Sequence, residues 1–528
     1  MAKSFVINNS LTNIYETTGQ IVKSIIYYIG TVNLLIFIGK AIFLFADSQC
    51  SKPLHDSESN KETKKSGYRT FLFLIALWIP HLVIAYPASI ISDAWSQLSM
   101  FYGRKIFTSH HPPFHTLVIG MAVKMGEKMG SANMGLFLFI VAQSILFALV
   151  ISYGITTMKK MDSPKWLIRL TLFIAVTSPY YTAYIGLITK DTLYSYFFLL
   201  FIIELIYERI IPRGGYWKNT KHNFLFVVSA VMVILFRNNG KYIIYPMLIV
   251  LICVLWKDGV LFYSKQHVMR IVIPMILVLF IPFIINLSLN KLYQIEKGSI
   301  KEMLSLPFQQ TARYVANHAD EVTDEEQVAI NRILDYDSLA GNYNPILSDL
   351  VKNTFKENST REDKVEYIKV WLHQFKEHPM TYISATINQN YRLIYPTKIS
   401  YLYLETYKDR GELAKILGIE EVEAIKQRES NLKNYYNIMF KLPLVGLLSM
   451  VAFYNLILLY LLIYITYKKI KQSWIIAMPL IISDFIIVAG PLVHPRYAFP
   501  IIYSMPIMIA FSLFAMKNVH LRRTSNDK

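Results

Sequence analysis

The sequence has 528 residues, of which 54% are hydrophobic and only 17% are charged. Soluble chains carry about 25% charged residues, so this composition excludes an ordinary soluble protein. The net charge of +18 would suit a nucleic-acid-binding protein, but the Lys and Arg residues cluster beside apolar segments, as in membrane proteins. The two cysteines indicate neither a disulfide framework nor a zinc site.

Apolar segments of roughly 17–25 residues, the length that crosses a ~30 Å hydrocarbon core, recur along the chain. They predict an all-α polytopic membrane protein with about eleven transmembrane helices. The predicted spans are Ser24–Ala46, Thr70–Ala88, Gly135–Thr156, Trp166–Tyr184, Thr192–Ile210, Asn223–Phe236, Tyr242–Trp256, Ile271–Ser288, Leu442–Ile465, Trp474–Leu492 and Phe499–Met516.

The basic residues predict how these spans are oriented, because Lys and Arg are retained on the cytoplasmic side. One set of connections holds about 23 Lys and Arg residues, whereas the opposite short connections hold about eight. The basic set is 47–69, 157–169, 207–222, 257–270, 467–473 and the C-terminal tail. We therefore expect these connections to be cytoplasmic, with the N-terminus outside and the C-terminus inside.

Three regions follow from this pattern. Residues 1–288 form an N-terminal transmembrane region whose first outer loop is 89–134, and residues 439–528 form C-terminal transmembrane helices and a cytoplasmic tail. Between them, 289–438 holds 22 of the 36 acidic residues and is predicted to be a mainly helical extracytoplasmic domain. Thr323 and Glu326 are spaced as a capping box, and Thr360 is expected to begin another helix.

The first outer loop contains Asp93 just after the second predicted span. A carboxylate at this position suits a general base that accepts a proton from an acceptor hydroxyl. The alternative is a helix N-cap formed by Ser92 or Asp93, and from this loop alone the cap is the favoured interpretation.

The same loop continues with His110 and His111 and then Pro112-Pro113. Histidines bind metals or titrate near neutral pH, but adjacent histidines before two prolines are weak support for a metal site. We expect His110 and His111 to hydrogen-bond a substrate. Pro113 is expected to begin an interfacial helix over 114–123, which at about ten residues is too short to span.

Cations remain in the other short outer connections, where the charge rule predicts few. Each one alone suits an interface anchor, but cations beside a carboxylate also suit an anionic lipid phosphate. Asp191 has two further interpretations, as a helix cap or as the partner of Lys190. The candidate substrate-binding residues in these connections are Lys190, Asp191, Arg237, Asn238, Asn239, His494 and Arg496.

Taken in order, Asp93, His110-His111-Pro112-Pro113, Lys190-Asp191, Arg237-Asn238-Asn239-Gly240 and His494-Pro495-Arg496-Tyr497 resemble the GT-C class of integral membrane glycosyltransferases. The chain resembles more closely an uncharacterised bacterial membrane family related to that class. The resemblance covers most of the membrane region and the outer insertion, and it rests on order and sidedness rather than on one specific motif.

The resemblance implies an inverting transfer of a sugar from a polyprenyl-phosphate donor to an extracytoplasmic acceptor, a cell-wall polymer or a glycolipid, at the bacterial plasma membrane. It implies that Asp93 is the base or orients the acceptor, and that Lys190, Arg237 and Arg496 hold the donor phosphate. The sequence shows no Asp-x-Asp pair in the first loop, so no metal or other cofactor is expected, and a divalent metal stays open as an alternative.

Three other functions remain as alternatives. A transporter or flippase of lipid-linked saccharides would also need many spans, but it predicts ionisable groups along the membrane depth and repeated halves. A polysaccharide polymerase or ligase of another membrane fold would use similar lipid-linked substrates. A non-catalytic scaffold would leave Asp93 as a cap.

Overall fold

The computed structural model describes residues 2–50, 60–211, 215–262, 264–396, 412–419 and 423–526. Parts of the predicted outer domain, 397–411 and 420–422, and part of the predicted connection 47–69 lie outside these residues. The structure is 82% helical, so the predicted helical fold class is confirmed.

The helices of the first region end at Tyr293, five residues beyond the predicted boundary of the insertion. They are α1 Ala2–Asn8, α2 Thr12–Tyr15, α3 Thr18–Cys50, α4 Asn60–Ile84, α5 Ser92–Phe101, α6 Pro113–Lys128, α7 Ala132–Lys160, α8 Lys165–Thr177, α9 Pro179–Thr182, α10 Lys190–Ile210, α11 Thr220–Phe236, α12 Lys241–Lys257 and α13 Lys265–Tyr293.

The rest of the described chain is also helical. Its helices are α14 Ser305–Asn317, α15 Asp324–Ile333, α16 Tyr336–Asn342, α17 Asp349–Lys352, α18 Arg361–Glu377, α19 Pro379–Asn390, α20 Glu412–Ile416, α21 Glu423–Lys441, α22 Pro443–Leu447, α23 Val451–Tyr467, α24 Lys471–Val488 and α25 Phe499–Asn526. Two short strands, β1 Ser89–Ile90 and β2 Leu187–Ile188, form a parallel pair.

Within the described residues, seven helices are long and apolar enough to cross a membrane, fewer than the eleven predicted. They are Thr18–Gln49, Lys65–Ile84, Ala132–Lys160, Asn238–Lys257, Lys265–Tyr293, Lys471–Val488 and Pro495–Val519. Helices α8, α11 and α23 also occupy predicted spans, but they have 13, 17 and 17 residues. Helix α10 has 21 residues and carries charged side chains at both ends and at Glu204.

The chain divides into two compact units. The larger unit comprises residues 43–298, 398–483 and 495–528, and its core is built by the long apolar helices. Helix α10 lies deep in this core, because almost every residue from Asp191 to Glu208 is buried. An apolar helix that is covered on all sides contacts other helices rather than lipid.

In the larger unit, connections that the charge pattern assigns to one side contact one another. Lys517 Nζ lies 2.8 Å from Asp162 Oδ2, and Arg209 Nη1 lies 2.9 Å from Asp258 Oδ2. These ion pairs join the tail to connection 157–169, and connection 207–222 to 257–270.

The smaller unit comprises residues 1–42, 299–397 and 484–494. Its core joins α14 to α15, α16, α17 and α18 through buried side chains that include Phe308, Ile330 and Tyr367. The predicted capping box is present, because the Glu326 N–H donates to Thr323 Oγ1 and the Thr323 N–H donates to Glu326 Oε2. Thr360 caps α18, as predicted.

Candidate functional site

The two short strands place two acids at equivalent positions in the larger unit. Ser89 pairs with Leu187 and Ile90 pairs with Ile188. Each strand leads directly into a helix, so Asp93 is the second residue of α5 and Asp191 is the second residue of α10. Because the strands run parallel, the two helices begin at the same edge. Helix N-termini favour carboxylates, and here two such termini lie side by side.

Neither acid is the cap of its helix. The N-cap of α5 is Ile91, which offers no side-chain hydrogen bond, so the expectation that Ser92 or Asp93 caps the helix is wrong. The N-cap of α10 is Thr189, whose Oγ1 accepts a hydrogen bond from the Asp191 N–H at 3.4 Å. Both carboxylates are consequently available to partners from other elements.

Three cations hold the two acids. Lys190 Nζ lies 3.2 Å and Arg496 Nη2 lies 3.5 Å from Asp93 Oδ2. Arg496 Nε lies 3.4 Å from Asp191 Oδ2, and Arg237 Nη1 lies 3.3 Å from Asp191 Oδ1. Lys190 therefore pairs with Asp93, and the alternative pairing of Asp191 with Lys190 is not the arrangement observed. We call these five residues the ionic cluster.

The two acids differ in exposure, and this separates their roles. The Asp191 side chain is 0% exposed, whereas the Asp93 side chain is 29% exposed. Asp191 is enclosed between two guanidinium groups, which supply the opposite charge that a buried carboxylate requires. Only Asp93 presents a carboxylate that a molecule entering the cluster could reach. With three cations and two carboxylates, the cluster has one positive charge in excess, which an anionic ligand would offset.

The cations set the protonation state of this loop. Burial alone would raise the pKa of Asp93, but the neighbouring Lys190 and Arg496 outweigh burial and hold that pKa well below its usual range. His111 Nδ1 lies 3.1 Å from Lys190 Nζ, and burial together with Lys190 lowers the pKa of His111 to about 2. His111 is therefore neutral near pH 7, with Nδ1 accepting from the ammonium group and Nε2 carrying the proton.

Tyrosine rings flank the two arginines. The Arg237 guanidinium carbon lies 5.3 Å from the centre of the Tyr194 ring and 4.8 Å from that of Tyr497. Arg496 lies 5.2 Å from the Tyr497 ring centre. Such cation–π contacts restrict where an arginine can point. Sequence reasoning missed Tyr194, although its position three residues after Asp191 puts both on one face of α10.

Arg237 is followed by a tight turn, the 3₁₀ helix Asn238–Gly240. A Cβ on Gly240 would lie 2.1 Å from Val233 O, so only glycine fits there. Asn238 Nδ2 donates to the carbonyl oxygens of Ser109 and His110 at 2.9 and 3.2 Å. Asn238 thus holds the histidine loop in place, and Asn239 lies beside it in the same turn.

The remaining predicted residues have different surroundings. His110 is exposed, and its ring centre lies 4.5 Å from that of His111. Helix α6 begins at Pro113, as predicted, and continues to Lys128. His494 belongs to the smaller unit, where it is buried. The structure thus brings together Asp93, His111, Lys190, Asp191, Arg237 and Arg496, and places His110 and Asn238 beside them. Their roles toward a substrate stay predictions.

The sequence matches a known family over most of its length. The family model described as "Family of unknown function (DUF6020)" matches residues 103–527, so the chain belongs to that family, and the predicted resemblance to an uncharacterised family is confirmed. No curated protein matches the sequence.

Two solved structures are similar to this one, and both are of ArnT from Cupriavidus metallidurans, a GT-C glycosyltransferase. The structure bound to undecaprenyl phosphate has 11% identity and a TM-score of 0.30, over 86% of this chain and 78% of that chain. The apo structure has 12% identity and a TM-score of 0.30, over 86% of this chain and 77% of that chain.

Proposed function

We propose that this member of the DUF6020 family is a GT-C-type membrane glycosyltransferase. It would move a sugar from a polyprenyl-phosphate donor to an extracytoplasmic acceptor, a cell-wall polymer or a glycolipid, with inversion at the anomeric carbon. The ionic cluster carries this proposal, because it combines one accessible carboxylate with cations in excess.

The cations suit the leaving group of this reaction. When the bond between the anomeric carbon and the phosphate oxygen breaks, the electron pair stays on the phosphate and its charge increases. Fixed cations stabilise a charge that develops during the reaction more than one already present. Lys190 is 16% exposed and Arg496 is 10% exposed, and both already contact the accessible acid. They are the groups we assign to the donor phosphate.

Asp93 is the acid we assign to the acceptor hydroxyl. The hydroxyl oxygen forms the new bond to the anomeric carbon, and its proton passes to the carboxylate. A carboxylate with a strongly lowered pKa is a weak base, which by itself favours an orienting role. When the donor phosphate binds Lys190 and Arg496, it competes with Asp93 for them and raises the pKa of Asp93. Donor binding would thereby prepare the base for the acceptor.

The proposal includes the predicted topology. It has about eleven spans, residues 289–438 on the outer side, and the C-terminus in the cytoplasm of a bacterial cell. In this orientation the ionic cluster lies at the outer surface, where an outer-leaflet lipid phosphate would be located. Helices α8, α10, α11 and α23 would complete the count beyond the seven long apolar helices.

One observation favours transport of lipid-linked saccharides as the second candidate. Glu204 on α10 is fully buried, and it contacts His222 Nδ1 at 2.9 Å, Tyr153 Oη at 2.8 Å and Tyr216 Oη at 3.1 Å. It lies 13 residues after Asp191, about 20 Å along a helix with a rise of 1.5 Å per residue. Ionisable groups at two depths of one helix are a feature of transporters.

The deciding experiment supplies purified protein in detergent with lipid extract that contains labelled polyprenyl-phosphate sugars and membrane acceptors. Wild type should transfer label, and Asp93→Asn should lose transfer by about 10²–10⁴-fold, the range for a lost acid–base group. The matched control is Asp162→Asn, because Asp162 pairs with Lys517 in another part of the larger unit. Asp162 has a positive φ of 49°, a backbone conformation that asparagine also tolerates.

Equal transfer by wild type and Asp93→Asn would remove Asp93 from the mechanism. If wild type instead moves the labelled lipid across reconstituted vesicles without transferring the sugar, and Glu204→Gln stops this movement, transport replaces transfer as the function.

A further inference from the structure

A second group of reactive side chains lies in the smaller unit, where the notable residues are two histidines and a glutamate. His318 Nδ1 lies 2.9 Å from Glu321 Oε1, and His378 Nε2 lies 2.6 Å from Glu321 Oε2. The ligand atoms of all three residues lie within 4.8 Å of one another. We propose that His318, Glu321 and His378 bind a divalent transition-metal ion, with zinc the best match.

Both histidines lie at the C-terminus of a helix. His318 is the C-cap that follows α14, and its N–H donates to Tyr314 O at 2.8 Å. His378 is the C-cap that follows α18, and its N–H donates to Gln374 O at 3.0 Å. Two helix C-termini therefore converge on the group. Because a helix C-terminus carries partial negative charge, both favour a cation between them.

The glutamate and the second helix are also positioned by local structure. A 3₁₀ turn, Ala319–Glu321, follows α14 directly and returns the Glu321 carboxylate toward His318. Pro379 begins α19 immediately after His378 and fixes the chain direction at that point. The two imidazole rings stack with their centres 3.8 Å apart and their planes at 24°. Each ring directs one nitrogen toward a different oxygen of the Glu321 carboxylate.

A hydroxyl group orients one of the histidines. His318 Nε2 lies 2.9 Å from Thr381 Oγ1. In the tautomer whose Nε2–H donates to this oxygen, Nδ1 carries a lone pair that faces Glu321 and can bind a metal ion. Metal-binding histidines commonly donate their second ring nitrogen to an oxygen in this manner.

The type and exposure of the ligands match zinc. Two imidazole nitrogens and one carboxylate oxygen are a ligand set that zinc accepts, and the two nitrogens disfavour calcium and magnesium, which prefer oxygen ligands. The ligand atoms of a tetrahedral zinc site lie about 3.3 Å apart, so the observed contacts would lengthen by less than about 1 Å. Glu321 is 54% exposed, and water can therefore supply a fourth ligand.

The ion would join two segments that are far apart in the sequence. His318 and Glu321 follow α14, whereas His378 lies 60 residues after His318, between α18 and α19. A metal held by both segments would tie the ends of two core helices together. Its role would be structural, because the binding energy of such an ion adds to the stability of the folded unit.

The test uses the full-length protein in detergent, depleted of metal with a chelator and titrated with zinc. We expect one zinc per chain and a zinc-dependent rise in Tm, both lost in His318→Ala, in His378→Ala and in the isosteric Glu321→Gln. The control is His373→Ala, which removes a histidine of α18 that pairs with Glu326 instead, and it should bind zinc like wild type.

Two results would overturn the proposal. The first is wild-type protein that binds no zinc, which would leave the group as hydrogen-bonded His–Glu pairs. The second is zinc binding of equal affinity in wild type and in Glu321→Gln, which would locate the ion elsewhere. If the histidine variants fail to fold, Glu321→Gln and cobalt absorption spectra of the wild type still decide the question. Sugar transfer plays no part in this test.

Discussion

Asp93 and Asp191 occupy the same position in two neighbouring helices, and Arg496 contacts both of them. One acid is partly exposed and the other is fully buried. The same residue type in the same local geometry is thus divided between two tasks. Asp191 fixes two arginines, and those arginines, with Lys190, define the field around Asp93.

Replacing the buried acid should cost mainly stability. Asp191→Asn leaves Arg237 and Arg496 without their shared counter-charge, and breaking a buried ion pair from one side costs about 3–5 kcal/mol. We expect a large fall in Tm for purified Asp191→Asn. Asp93→Asn, at a more exposed position, should lower Tm much less. Equal shifts in the two variants would contradict the division of roles.

Arg496→Lys should impair transfer although the charge is kept. Arg496 reaches Asp93 through Nη2 and Asp191 through Nε, and a lysine ammonium group cannot span both. We expect initial rates with the lipid-linked donor to fall by about 10²-fold, as when one preorganised donor is lost. Arg104→Lys, an exposed arginine 3.9 Å from Glu412, serves as the control and should keep the wild-type rate. Similar rates in both variants would exclude the bridging role.

Lys190→Gln should change the pH dependence of transfer. Lys190 helps to hold the pKa of Asp93 below its usual range, so removing the cation raises that pKa. An ionised Asp93 is needed to accept the proton, and the acidic limb of the profile should therefore move to higher pH. The profile of kcat/KM measures this shift in the free enzyme. An acidic limb at the wild-type position would show that Asp93 does not control it.

Two buried histidines should make the fold sensitive to mild acid. Burial and Lys190 lower the pKa of His111 to about 2 and that of His115 to about 3, against roughly 6.5 when unfolded. Below about pH 6.5 the unfolded chain binds protons that the folded chain does not. Stability present above that pH is thus lost on acidification, by about 1.4 kcal/mol per pH unit for each histidine.

Unfolding of wild type and His115→Gln between pH 7 and pH 5 measures this contribution. The variant should lose less stability over this range than wild type, even if it starts from a lower value. Parallel curves would show that His115 does not contribute.

Cysteine labelling should test the predicted sidedness. In a background that carries Cys50→Ser and Cys253→Ser, His110→Cys should react with a membrane-impermeant reagent on intact cells. Lys469→Cys should react only after permeabilisation. Both replaced side chains are exposed in the structure, so access to the reagent depends on the membrane alone. The opposite pattern would invert the topology.

Local signals predicted much of the helical structure. The capping box at Thr323, the cap at Thr360 and the helix start at Pro113 depend on neighbouring residues alone, and all three are present. Each candidate residue was predicted from its own loop, because a charged residue beside an apolar span is visible in the sequence. His494 belongs to the smaller unit, and the sequence of its loop carries no sign of that division.

Pairings between distant segments could not be predicted. Strands of two residues have no periodicity, so the register that aligns Asp93 with Asp191 has no signature in the sequence. Without that register, the assignment of Lys190 to Asp93 rather than to its neighbour Asp191 is undetermined. The same limit applies to His318 and His378, which are brought together only by the packing of α14 and α18.

The ionic cluster is assembled from residues at opposite ends of the sequence. Asp93 precedes Arg496 by 403 positions, so during synthesis both acids leave the ribosome long before the arginine that contacts both. Before the segment with Arg496 is inserted, the cations of the ionic cluster that are present are Lys190, which pairs with Asp93, and Arg237, which pairs with Asp191. The nascent chain therefore has no complete site. Any activity that depends on the cluster begins only after Arg496 has joined the two acids.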